Sequence, residues 1–525
     1  MAKHDVIIVG AGQNGLSLGA YLVKAGLDVL VLEMQDFIGG SCSTKELTLP
    51  GFKHDCCAAL HAYIRANPLV KHDELGIVSK YGLDYIHPEG AFSHAFEDET
   101  GFVVYADLDK CCQSMAKISE KDAETYRAMV LKLQPIVAML MNTMFNPPIP
   151  QGALLNMLDQ SPEGQEIMRF MGMSAYQIIN RNFESEKIKT ALTKMVTEPI
   201  CAPEDLGTGI HFALLLPFAH SIPYTILKGG SGEFSNALAR YIEDNGGTVR
   251  TGCEVKKIIV SGGKAKGVVL AGGEEIFAHR AVVTNLDPRL VFPRMVSEVS
   301  DDLITKVGNI DDAPFTGMVI HLALNEAPKW KAGEEISLAG AQEPLRGLEH
   351  VRREFDDFRY GLPAADDHIC PMVVCHSNFD PTRAPNGKHT LWLFQYQPYA
   401  LADGGADRWD EIKDREGEKV VKRLQKYCAN MGPENILATT VKSPRDYERW
   451  NVNLVHGNVC GPLQTFYQLF SHRPIPALGD YRTPIEGLYG CGHAYHPAGG
   501  ISGGGRAVSQ VLMQDFGIDF ENILG

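Results

Sequence analysis

The residues best placed to do chemistry stand at the start of the chain. Residues 5–33, DVIIVGAGQNGLSLGAYLVKAGLDVLVLE, set Gly10, Gly12 and Gly15 after an unbroken apolar run at 6–9 and end on Glu33. This spacing suits a dinucleotide. Gly10 permits a tight turn, Gly12 lets the backbone approach a pyrophosphate, and Gly15 lets the next helix pack on the strand. That helix opens at Gln13 and Asn14, so its free N-terminal amides face the phosphates. The Glu33 carboxylate can accept hydrogen bonds from a ribose 2′-OH and would repel a 2′-phosphate, which favours an unphosphorylated adenosine.

Two further positions invite a chemical reading. Gly39, Gly40, Ser41 and Cys42 follow the second strand, where a disulfide reductase carries its redox pair. Such a pair needs a second cysteine about five residues on. Position 47 is Leu47, and the next cysteine is Cys56, beyond a Pro50-Gly51 turn. Cys42 is therefore expected to be a small buried residue. His496, in CGHAYHPAGGISG, is the ionisable side chain expected nearest the cofactor's reactive end. Two roles stay open for it, proton acceptor or a ring that holds the bend. His61, His211 and His220 are expected to be structural. There is no metal-ligand spacing, and the cofactor is expected to supply the chemistry.

The elements that would position these groups lie far apart in the chain. A strand, glycine turn, helix and strand occupy residues 5–33. A helix over about 233–245 and short strands ending at 281–284 follow, and a strand at 488–491 leads through a glycine-rich bend into a helix from about Gly504. With 525 residues the chain exceeds the size of a single core, so two domains are expected. A net charge of −15 with no basic cluster excludes a nucleic-acid partner. Cys56-Cys57 and Cys111-Cys112 are adjacent pairs, but no C-x-x-C exists, which fits a reducing cytoplasm. The first strand begins at about Asp5, leaving no room for a leader, and no apolar run reaches the roughly 18 residues of a spanning helix.

Four stretches carry a resemblance: the opening fingerprint through Gly39-Gly40 and GFKHD, the GGSGEFSNAL helix, VVTNLDP, and CGHAYHPAGGISG. Together they resemble the phytoene desaturase (carotenoid desaturase) family of FAD-dependent oxidoreductases, including its pyridine-nucleotide-disulfide-oxidoreductase-domain branch. The resemblance implies an α/β fold, a Rossmann-like FAD domain of the glutathione-reductase/amine-oxidase type with an inserted sheet-plus-helix substrate domain. It implies that Glu33 holds the adenosine ribose, that Val255 offers its backbone to adenine, that Gly492 lies by the pyrophosphate, and that Gly500 and Ile501 face the flavin. A helix N-terminus there would stabilise the charge of reduced flavin. Ser41 stands where the family usually has Arg or Lys, so one cationic contact is missing.

On this reading the FAD domain comprises residues 1–76, 225–290 and 481–525, and the substrate domain 77–224 and 291–480. The first insertion reads as helical, opening on the capping sequence SEKD at 119–122. The second mixes strand-like MVVCHSN and TLWLFQYQ with an acidic helix over about 409–431. Residues 133–158 carry no charge, and Pro135 and Pro147-Pro148 are expected to divide them. Ten of the 17 methionines fall between Met115 and Met195, which suits a surface that adapts to an apolar ligand or dips into lipid. An ordinary helical core is the other reading, and the tunnel mouth is slightly preferred. The expected activity is hydride removal from an apolar, isoprenoid or alicyclic substrate, with electrons passing on to oxygen or a quinone. The resemblance also allows a saturase or a double-bond isomerase. An amine oxidase and a non-enzymatic prenyl-binding escort protein share the fold.

Overall fold

A computed structural model describes residues 3–222, 224–499 and 503–524; Gly500 and Ile501 lie outside the described residues. Strand β1 (Lys3–Val9), helix α1 (Gln13–Lys24) and strand β2 (Val29–Leu32) form the unit that the glycine spacing predicts. β1 lies parallel between β2 and Glu275–Thr284. Thr248–Arg250 and Leu488–Gly490 extend the parallel sheet, and Val255–Ser261 with Lys264–Leu270 add an antiparallel edge. Residues 6–9 and 29–32 are buried on both faces, which is why they read as unbroken apolar runs. Helices Gly232–Asp244 and Gly504–Phe516 both pack on α1.

The second sheet has seven strands in the order Ile436–Lys442, Phe315–Leu324, His389–Pro398, Met372–Val374, Ala339–Leu345, Gly90–Phe96 and Gly101–Tyr105. Its pairings are antiparallel except that of Ala339–Leu345 with Gly90–Phe96. Helices of the first insertion pack against it, and the acidic helix is shorter than expected, Trp409–Gln425.

Two expectations are corrected. Helix Glu120–Met144, capped by the Ser119 hydroxyl on the Asp122 amide at 3.2 Å, runs straight through Pro135. Leu131 and Pro135 face solvent, so water can satisfy the carbonyl that proline leaves without a donor. Pro147-Pro148 does end the run, and the next helix is Gln151–Leu158. The second correction concerns the boundary drawn at 290/291. Val291, Phe292, Leu303 and Val307 join the core of the first sheet, because helices Pro288–Arg294 and Asp301–Gly308 cover its antiparallel edge. Ile77 and Leu83 belong to that core as well.

A buried ion cluster joins the two halves. Asp55 accepts from the Thr44 hydroxyl at 2.6 Å, the Ser231 amide at 2.8 Å and the Arg383 guanidinium at 2.6 Å. Arg383 also reaches Asp380 at 3.1 Å, which accepts from the Gly229 amide at 2.7 Å. Burial alone would raise the Asp55 carboxyl, but the charges of Arg383 and His376 hold it down at about 2.

Candidate active site

The turn between β1 and α1 is built as the glycines require. Gly10 adopts φ +98, donates to the Leu32 carbonyl at 2.7 Å and accepts from the Asn285 side chain at 3.2 Å. A Cβ on Gly15 would lie 2.4 Å from the Gly10 carbonyl oxygen, so only glycine lets α1 start this close to the strand. The Gly39 amide donates to Ala11 at 2.8 Å and brings Gly40 beside Gly12.

Two cavities meet at this turn. One, of about 360 Å³, is lined by Gly10, Gly12, Glu33, Phe37, Val255 and Trp450 among others. Glu33 is buried with one oxygen on the Ala11 amide and the other on the Gln35 amide, both at 2.9 Å. Burial raises its pKa against these bonds, and a carboxylate keeps further lone pairs for ribose hydroxyls. The Phe37 and Trp450 rings lie 6.3 Å apart and nearly parallel at 10°.

The other cavity, of about 290 Å³, holds Gln13, Asn14, Ser41 and the bend from His493 to Gly499 on the side of the first sheet. Its far wall is Trp392, Phe394 and Tyr396, alternate residues of one strand face, with Met372 paired against Phe394. Gly12, Gly40, Asn285, Asn451 and Asn453 line both cavities, so the two form one elongated space with its waist at the glycine turn. The cavity wall contains no lysine or arginine among the described residues. Its one carboxylate is Glu198, whose Oε2 accepts from the Tyr224 hydroxyl at 2.6 Å.

His496 lines this cavity but is tied to the wall. Its Nε2–H donates to the Thr143 carbonyl at 3.1 Å, Nδ1 is buried without a partner, and burial lowers its pKa to about 4. The ring is therefore neutral near pH 7. The bend that carries it is pinned by the buried Arg473, which donates to the carbonyls of Tyr495 at 3.3 Å and His493 at 3.1 Å, and by the Tyr481 hydroxyl on the His496 carbonyl at 3.1 Å.

Most sequence-derived site residues converge on this space. Gly10, Gly12, Glu33, Gly40 and Val255 line the first cavity, and Gln13, Asn14, Ser41 and His496 the second. Gly492 sits just behind the waist, where a Cβ would come 2.7 Å from Asn285 Oδ1. His211 also lines the second cavity, its Nε2–H on the Gln464 carbonyl at 2.8 Å, whereas His61 and His220 lie away from it. Cys42 is fully buried, its thiol on the Ser231 carbonyl at 3.1 Å, and burial pushes its pKa far up. Of the stretch 133–158, only Met144 reaches the cavity, among the residues whose side chains are described. Leu133, Leu140, Met141, Phe145, Leu154 and Leu158 are core. The helical-core reading, not the tunnel mouth, describes that stretch.

Missed by the sequence reading are Asn285, His493, Glu198 and the aromatic wall. Asn285 lies in VVTNLDP and His493 in CGHAYHP, so both stood inside motifs already singled out. Glu198 had no local signal.

The space fits an extended flavin dinucleotide. Asn14 Oδ1 is buried beside the second cavity without a partner, and Gly10 and Gly12 leave the turn's backbone open to a ligand. The α1 N-terminus and the glycine amides would hold the pyrophosphate, Glu33 and Val255 the adenosine, and Ser41 with the 493–499 bend would flank the redox-active end.

Comparisons with known proteins agree. A Rossmann-like NAD(P)-binding domain matches residues 8–73, and the flavin containing amine oxidoreductase family matches residues 155–512. Pyridine nucleotide-disulfide oxidoreductase domain-containing protein 2 of Rattus norvegicus is 28% identical, over 98% of this chain and 94% of its own. A limonene dehydrogenase polypeptide of Castellaniella defragrans is 27% identical over 98% and 95%. A phytoene desaturase of Fusarium fujikuroi is 22% identical over 98% and 90%. The solved cyclohexylamine oxidase of Brevibacterium oxydans shares the fold, with a TM-score of 0.59 at 15% identity over 98% of this chain and all of that one. No described helix is long and apolar enough to cross a membrane. With the dinucleotide turn in place and more than half of its length matched, this chain belongs to the flavin containing amine oxidoreductase family and is an FAD-dependent oxidoreductase.

Proposed function

We propose that the protein dehydrogenates an apolar, alicyclic or isoprenoid substrate to form or rearrange a C=C bond. The observation that carries this is the second cavity's wall. Trp392, Phe394, Met372, Leu60, Ile210 and Leu214 present apolar surface, and no cationic side chain is among the described lining residues. Apolar ligands would be held by area, at roughly 25 cal/mol per Å² removed from water before ordering costs.

FAD, when bound, accepts a hydride from a C–H bond held at its reactive edge. The chain's own residues do the rest. The aromatic strand face and the 493–499 bend enclose the substrate and keep water out. The described lining residues do not include the water-holding lysine that an amine oxidase would favour. The relationship to limonene dehydrogenase and phytoene desaturases supports the same substrate class. Oxygen or a quinone would take the electrons onward, and a peripheral membrane contact would suit a lipid-soluble acceptor.

The test is a screen of terpenoids, carotenoids and amines for anaerobic bleaching of the bound flavin. Bleaching by limonene or another uncharged terpenoid is expected. Bleaching by amines alone would overturn the proposal.

A further inference from the structure

We propose that Glu198, oriented by Tyr224, accepts the substrate proton in this reaction. The inference rests on the dehydrogenase reading above and names the side chain that reading requires. Loss of hydride from one carbon leaves a proton on its neighbour, and some group in the cavity must receive it.

Three observations converge on Glu198. First, it is the sole carboxylate among the described residues of the second cavity's wall, and only one of its oxygens is hydrogen-bonded, to Tyr224 at 2.6 Å. The other oxygen has no partner among the described residues and is free to meet a ligand. Second, the segment that carries it is held from several sides. The Tyr396 hydroxyl donates to the Thr197 carbonyl at 2.8 Å, the Thr197 hydroxyl to Lys194 at 2.7 Å, and the Gln464 amide to the Pro199 carbonyl at 3.3 Å. Third, Ile200, two residues on, adopts φ +57, a conformation a β-branched residue rarely takes. Strain of that kind collects where surrounding structure forces a side chain into place.

His496 is the competing acceptor, and the geometry disfavours it. Its free nitrogen, Nδ1, is sealed from the cavity, while Nε2 is committed to the Thr143 carbonyl.

The electrostatics then set the pH at which Glu198 can work. The ionisable groups around it are Tyr224, Tyr63, Tyr396, Cys460 and Glu343, with no lysine or arginine among them. Burial raises its pKa to about 8, opposed by the Tyr224 hydrogen bond and assisted by the charge of Glu343. A carboxylate this basic is far stronger as an acceptor than an ordinary one, and its active form fills in as pH rises toward 8.

The step balances simply. One C–H bond breaks with its electron pair, a hydride that oxidised FAD, when bound, would accept. The neighbouring C–H bond breaks with its proton going to the free Glu198 oxygen, and the pair left behind forms the C=C bond.

The test uses the FAD-loaded enzyme and limonene as probe, with wild type, Glu198→Gln and Glu198→Asp. Infrared difference spectra against Glu198→Gln should show a protonated carboxyl in the wild type that titrates near pH 8. In anaerobic stopped flow, flavin reduction in the wild type should rise roughly tenfold per pH unit below that midpoint and then level off. Glu198→Gln should reduce at least about 100-fold more slowly, with its flavin spectrum and limonene affinity retained, and Glu198→Asp should recover part of the rate. Should Glu198→Gln match the wild type at every pH, the assignment is wrong while the dehydrogenase reading survives. If wild type and variants all fail to be bleached, the dehydrogenase reading falls and takes this assignment with it. A rate lost instead in His496→Ala, with Glu198→Gln unaffected, transfers the role to the histidine.

Discussion

The two ends of the elongated space are made differently. The end beside Glu33 and the waist at the glycine turn draw on a strand end, a positive-φ turn and a helix N-terminus within residues 9–40, completed by 253–256, 285–295 and 450–453. The other end is built from side chains that arrive from the 57–63, 198–224, 372–396 and 451–499 regions. Backbone recognition of a pyrophosphate depends on where glycines are, so it leaves a contiguous mark. Recognition of a substrate depends on which side chains meet after folding, so its mark is scattered.

That contrast is sharpened first at the waist. Gly12 lines both cavities, and a Cβ there already stands 3.0 Å from Asn285 Nδ2, so Gly12→Val should block the dinucleotide altogether. Purified variant should be colourless and take up no flavin on reconstitution, while its far-ultraviolet circular dichroism is unchanged.

The joint between the ends should show the next largest effect. Asp55→Asn leaves Arg383 buried without its charge partner and should cost about 3–5 kcal/mol in urea unfolding. The pH dependence follows from the same group. Its folded pKa, about 2, lies below the ordinary 3.8, so its contribution is complete above pH 3.8 and is lost as pH falls through about 2. In Asp55→Asn that acid-sensitive component should be absent from the unfolding curve.

Met141 and Met144 break the comparison inside a single helix. Met141 is core, so Met141→Ala should cost about 2–5 kcal/mol of stability with KM little changed. Met144 faces the cavity, and Met144→Ala should instead raise KM for an apolar substrate by roughly three- to tenfold, the worth of a lost apolar contact. The smallest effect belongs to Cys42. Its thiol is protonated, buried and bonded to a carbonyl, so Cys42→Ser should leave turnover within about twofold, and dithiol titration should find the flavin as the sole two-electron centre.

Legibility in the sequence follows the same division. The βαβ unit, the helix at Gly232–Asp244 and the final helix were readable because each keeps its signal local: an apolar run, a glycine spacing, a helix period. Glu33 could be placed because it directly follows the second strand of that unit, whereas Val255 was placed only through the family resemblance. Asn285 was within a recognised motif, but its two jobs, bonding Gly10 and lining both cavities, exist only once Glu275–Thr284 lies beside β1. Trp392, Phe394 and Tyr396 alternate as one face of a strand should, yet alternation alone does not say whether that face meets core or cavity. Glu198 could not be found at all from its neighbours, because what marks it is Tyr224 and an apolar wall assembled from elsewhere. Pro135 misled for a related reason: a proline's cost depends on whether the carbonyl it orphans meets water, and that is a property of the fold.

The most direct test compares two six-membered rings that differ in charge. FAD-loaded protein is mixed anaerobically with limonene or with cyclohexylamine, and flavin bleaching is followed by stopped flow. A wall of Trp392, Phe394 and Met372 with no cationic side chain among the described lining residues predicts that limonene bleaches the flavin and cyclohexylamine does not. Bleaching by cyclohexylamine with limonene inert would contradict it.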